Sequence, residues 1–215
     1  MRNNHQFLFG LFQVIVIAAC GIAVNDMWYK IIISAAGIVF NYLVSCGKRS
    51  GFIIGTCYAA AYGIMSYTED IYASALFMLA VQLPMAIISF ITWKKQNTKE
   101  IRMQSLSLKK RIAIFSALII IQIILYLLLN KTNSSNAFFD AFFFSTSLIS
   151  CILLAKKKKE AYIIIMLSGI AGTLLWLSQF ITTGDGISVL LLNFFVFINS
   201  VKGLIIQNKH KLTQE

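Results

Sequence analysis

The side chains able to carry covalent or acid–base chemistry are few and poorly placed for it. His5 and His210 lie near the two ends of the chain, and of eight acids only Asp140 stands at the edge of an apolar run rather than in a turn or tail. A Ser-His-Asp triad, a His/Cys metal centre and a paired-carboxylate site all lack their parts. Phosphoryl transfer with bound Mg²⁺ would need clustered carboxylates, and there are none. Cys20, Cys46, Cys57 and Cys151 fall in or at the ends of apolar runs without a C-x-x-C pair, and they read as small apolar filler. The expectation is no catalysis, no metal and no cofactor. The same shortage removes the usual proton relay of a pump, which uses buried Asp, Glu or His.

What remains is neutral and polar. Within the apolar runs stand Asn41, Tyr42, Tyr58, Tyr62 and Gln82, then Ser145, Thr146, Ser147, Trp176, Gln179, Asn193 and Asn199. An amide without a partner in hydrocarbon is costly, so each must face a neighbouring helix or a wet cavity. Bonding between helices, worth about 0.6 kcal/mol per bond, accounts for any one of them. As a set they suit a small-molecule site that combines aromatic faces with a few amides. The candidates for binding are Asn41, Tyr62, Gln82, Trp176, Gln179, Asn193 and Asn199, with Tyr62 and Trp176 stacking and the amides hydrogen-bonding.

The elements that hold these residues follow from composition. Of 215 residues 58% are hydrophobic and 13% charged, and the net charge is +11. A soluble domain carries roughly 45–50% apolar and about 25% charged residues, so this is an integral membrane protein. So apolar a chain has little polar surface for nucleic acid, and its partners are membrane lipid and a small molecule. A helical span needs roughly 20 apolar residues. Eight stretches qualify: Phe7–Val24, Trp28–Cys46, Gly51–Tyr67, Ile71–Trp93, Ile112–Asn130, Ala137–Leu154, Ala161–Phe180 and Ile187–Gln207. They are too long and too evenly apolar for barrel strands, so the fold class is all-α with eight transmembrane helices. The first, with Arg2 before it and Ile17-Ala18-Ala19-Cys20 within it, has some look of a signal peptide, but it is read as an ordinary helix.

Sixteen of the nineteen Lys and Arg fall on alternate loops: Arg2, Lys48 and Arg49, the segment Lys94–Arg111, Lys156–Lys159, and Lys209 with Lys211. The other loops hold Lys30 and Lys131 among Asp26, Glu69, Asp70 and Asp185. Cationic loops stay in the cytoplasm, which places both termini there in a plasma (inner) membrane protein. Lys202, near the inner end of the last span, is expected to snorkel to the interface. Pro84 frees the carbonyl of Ala80 and predicts a kink or hinge in the longest span.

A repeat runs through this pattern. Trp28–Lys95 reads as helix, basic turn, helix, polar turn, helix, basic end, and Ala137–Lys209 reads the same way. Both copies begin outside and end inside, so a single span must return the chain between them. The expected division is an extra helix at 1–27, a first three-helix repeat at 28–95, a basic loop and linker helix at 96–136, a second repeat at 137–209 and a tail at 210–215. Parallel repeats of this kind hold a substrate near the midplane between them.

In the first repeat, Gly47-Lys48-Arg49-Ser50, Phe52, Gly55, Tyr62, Tyr72, Ala75-Leu76, Pro84-Met85 and Trp93-Lys94-Lys95 resemble the PnuC family of vitamin transporters. Asp140-Ala141, the cationic turn with Glu160, and Asn199 with Gly203 are similar to it more loosely. The resemblance covers about residues 28–209. It implies a SWEET-like three-plus-one-plus-three fold, sometimes preceded by an extra helix. It also implies facilitated uptake of nicotinamide riboside or a related vitamin or nucleoside, trapped by a cytoplasmic kinase. Where the family usually has two tryptophans and an asparagine this chain has Tyr162, Ile165 and Gly169. Where it has an asparagine and a glutamine this chain has Met78 and Ala86. Two other readings stay open: a SWEET-like sugar carrier, and a non-transporting subunit or scaffold. The residues leave room for a homo-oligomer.

Overall fold

In lipid every backbone N–H and C=O must be satisfied within its own segment, and the chain meets this demand with helices. The computed structural model describes residues 2–46, 48–94, 103–132, 134 and 136–212. The side chains of 2–7, 93–94 and 206–212 lie outside that description, and so do Gly47, the basic stretch 95–102 and the last residues of the tail. The helices are α1 (Arg2–Ala23), α2 (Trp28–Ser45), α3 (Gly51–Thr68), α4 (Tyr72–Leu76), α5 (Leu83–Lys94), α6 (Leu108–Leu129), α7 (Ala137–Ala155), α8 (Glu160–Thr183) and α9 (Ile187–Leu212). Between α4 and α5 the residues Phe77–Gln82 form a π-helical segment, so these three pieces make one crossing and the described residues make eight. Six crossings among the described residues are long and apolar enough to span a membrane on those grounds alone. The other two are α1, with its apolar stretch Leu8–Ala23, and α3, whose three tyrosines and several hydroxyls lower its hydropathy. The protein is a multi-pass membrane protein of all-helical class.

The π-helical segment answers the expectation at Pro84. The Leu83 N–H donates five residues back, to the Met78 carbonyl, and the turn is widened just ahead of the proline. Proline offers no N–H and its ring crowds the carbonyl four residues back, so one added residue per turn relieves both problems. Linker helix α6 begins at Leu108, a turn earlier than hydropathy suggests, because Lys109, Lys110 and Arg111 continue it. It packs mainly on α7, reaches α8 through an Arg111–Glu160 ion pair at 3.0 Å, and is otherwise largely exposed.

The two three-crossing blocks meet reciprocally. Helix α2 of the first packs on α9 of the second, and α4–α5 of the first pack on α7 of the second. One aspartate seals each of these junctions. Asp140 in α7 accepts the Ala73 and Ser74 N–H groups, both at 3.0 Å, and the Ser74 hydroxyl at 2.5 Å, capping α4. Asp26, just before α2, accepts the Gly186 N–H at 3.0 Å and the Ser188 N–H at 2.9 Å, capping α9. Each block's opening thus caps the last crossing of the other block, with a carboxylate placed where the helix dipole is positive.

Candidate functional site

A cavity runs between the two blocks from the middle of the bundle toward the end that carries the cationic turns. Phe40, Asn41 and Val44 of α2, Phe77, Met78 and Gln82 of the π segment, Phe143, Ser147 and Cys151 of α7, Tyr162 and Ser168 of α8, and Asn193 and Asn199 of α9 are among its lining. Among the described residues no lining residue is charged. The widened π turn has a consequence here, because it presents Phe77, Met78 and Gln82 to the same space.

Of the seven expected binding residues, Asn41, Gln82, Asn193 and Asn199 line this cavity and Tyr62, Trp176 and Gln179 do not. Asn41 donates to the Gly37 carbonyl at 2.9 Å and Asn193 to the Val189 carbonyl at 2.8 Å, bonds that set their side chains against their own helices. Asn193 fits because Gly172 is bare: a Cβ there would collide with the Asn193 carboxamide. Tyr162 is buried and lines the cavity, and its hydroxyl has no hydrogen-bond partner among the described residues.

Tyr62 and Trp176 form a layer above the cavity. The Trp176 Nε1–H donates to the Tyr62 hydroxyl at 2.8 Å, both side chains are buried, and Tyr58 continues the layer down to the lining. Lys30 lies over the Trp176 ring at 5.8 Å. Its ammonium bonds Glu69 at 2.7 Å and Asp185 at 2.6 Å, so one fully buried cation ties the turn after α3 to the turn after α8. Gln179 belongs to this cluster, with its amide 3.4 Å from Glu69. Burial acts to raise the pKa of Asp185, but hydrogen bonds to Asp26 and Lys30 prevail and hold it below its ordinary 3.8. Asp26 shifts the opposite way, raised by burial and by Asp185. One end of the space between the blocks is closed by an ion-pair clamp over an aromatic layer.

Several of these residues escape a reading by type. Lys30 counts as a stray outer cation when charges are sorted by loop, yet it is the centre of the clamp. Lys202 does not reach simply for water: its ammonium sits over the rings of Phe9 at 4.7 Å and Tyr42 at 5.0 Å. Asp26 and Asp140 carried a usable signal, since each lies at the opening of one repeat.

Residues 27–209 match the family described as nicotinamide mononucleotide transporter. The chain belongs to that family. The nicotinamide riboside transporter PnuC of Neisseria mucosa is 24% identical over 102 residues, a match covering 44% of this chain and 39% of that protein. The chain therefore aligns with well under half the length of this relative. A solved structure, the crystal structure of the vitamin B3 transporter PnuC, matches with a TM-score of 0.84 at 20% sequence identity, over 95% of this chain and 91% of that one. At that identity the likeness speaks for the fold. Membership in a transporter family assigns the chain to transport rather than catalysis.

Proposed function

We propose that the protein carries nicotinamide riboside, or a closely related vitamin or nucleoside, across the plasma (inner) membrane by facilitated diffusion. The observation that supports this most is a cavity between the two blocks, with no charged side chain among its described lining, in a chain from this transporter family. Its aromatic lining, Phe40, Tyr58, Phe77 and Phe143, suits a flat ring, and a cationic pyridinium would gain from those faces. The amides of Asn41, Gln82, Asn193 and Asn199 suit a carboxamide and ribose hydroxyls. A phosphate would enter without a cation to meet it, and burying an unpaired anion is expensive. This favours the riboside over the mononucleotide of the family's description.

With the cationic turns in the cytoplasm, both termini are cytoplasmic and the cavity faces inward, beneath a closed outer clamp. Transport is rocking of one block against the other, with the clamp opening outside as the inner end closes. The described lining holds no carboxylate, imidazole or ammonium to relay protons, and net uptake comes from phosphorylation of the substrate inside. The test is uptake of labelled nicotinamide riboside, thiamine, riboflavin and deoxynucleosides into cells making the protein, with and without the matching kinase. Saturable uptake of nicotinamide riboside that accumulates only with the kinase is expected. Uptake of none of them would overturn the proposal.

A further inference from the structure

Helix α1 stands outside the residues that match the family, which begin at residue 27. Its Leu11, Phe12 and Ile15 are exposed on the bundle's surface, while Gln13 between them is completely buried. The Gln13 amide exchanges two hydrogen bonds with Asn199 of α9. Its Nε2 donates to the Asn199 Oδ1 at 3.1 Å, and its Oε1 accepts from the Asn199 Nδ2 at 3.1 Å. Asn199 in turn lines the cavity, which Gln13 does not reach.

We infer that Gln13 is a positioning residue for the substrate site, acting through Asn199. This rests on reading the cavity as the substrate site. A carboxamide carries two N–H donors and an oxygen with two acceptor sites. The reciprocal pair uses one donor and one acceptor site of each amide and fixes the plane of Asn199. One N–H and one lone pair of Asn199 are left for a ligand. An unpaired Asn199 would rotate freely between cavity and helix, and a ligand would have to order it on binding. The pair is locked from the side, since Lys202, one turn beyond Asn199, is packed against Phe9 of α1. The N-terminal helix thereby completes a site whose other walls lie within the family's repeats.

A helix-docking contact alone would alter folding and leave ligand binding untouched, and this separates the two roles. Binding of nicotinamide riboside, thiamine, riboflavin and thymidine is measured on the purified full chain for the wild type, Gln13→Met, Asn199→Leu and the double variant. Met keeps the shape of Gln and no hydrogen bond. Gln13→Met is expected to weaken binding roughly three- to tenfold, the scale of one lost or disordered hydrogen bond. In the Asn199→Leu background Gln13→Met should cost nothing further. Should Gln13→Met melt earlier but bind as tightly as the wild type, or should its effect persist beside Asn199→Leu, the inference fails while the proposed function stands. A wild type that binds none of the four overturns both.

Discussion

At the scale of single residues, the cavity separates polar groups that the sequence leaves equivalent. Asn41, Gln82, Asn193 and Gln179 are all amides within apolar helices, but only the first three line the cavity, and Gln179 lies beside Glu69 in the ion-pair clamp. Alanine at Asn41, Gln82 or Asn193 should therefore raise the half-saturation concentration for uptake by roughly two- to tenfold each, the worth of one net hydrogen bond. Gln179→Ala should leave it within twofold of the wild type. Concentration-dependent uptake, normalised to protein in the membrane, reads the difference, and a Gln179 effect as large as the others would contradict this placement. Residue type told which side chains need partners. It did not tell which helix face meets the cavity, because that depends on neighbours more than a hundred residues away, as in the Tyr62–Trp176 bond.

At the scale of elements, the fourth crossing and the two aspartate caps do most to shape the site. Pro84 is the cause of the π segment that turns Gln82 and Met78 toward the cavity. Pro84→Ala restores the missing N–H and removes the clash, allowing an ordinary α-helix to form and swing Gln82 away. Melting temperature should hold or rise while affinity falls several-fold. Loss of stability with unchanged affinity would show that the widened turn does not set the site. Asp140→Ala removes the cap from α4 and strands its first N–H groups, at a cost of about 0.5–2 kcal/mol. Thermal melts of the purified protein measure it, and an unchanged melting temperature would contradict the cap. The crossings themselves were legible as apolar runs, and even the break in the fourth was signalled by its proline. The caps were harder to see, because a lone aspartate announces a partner without saying which helix end it will meet.

At the scale of the whole molecule, the all-helical class and the apolar crossings were legible in the sequence, while the closed end opposite the cationic turns was not. Sorting cations by loop treats Lys30 as noise, and only the packed bundle brings Glu69 and Asp185 to it. Breaking that buried pair by Lys30→Met leaves two carboxylates facing each other and should open the outer end. With Cys20, Cys46 and Cys57 replaced, Cys151 in the cavity should then react with a membrane-impermeant thiol reagent added outside, whereas the Lys30 parent should resist it. Labelling that is equal in both would refute the clamp. Acid should act in the same direction. Asp185 keeps its charge below 3.8, so its bond to Lys30 is intact at neutral pH and is lost only as the pH falls through that depressed range. The central claim is passive carriage by an uncharged site, and flux of labelled nicotinamide riboside into proteoliposomes holding the purified protein tests it most directly. The account predicts saturable entry that stops when inside and outside concentrations are equal, with or without an imposed sodium or proton gradient. Accumulation driven by either gradient, or no entry above that of protein-free vesicles, would contradict it.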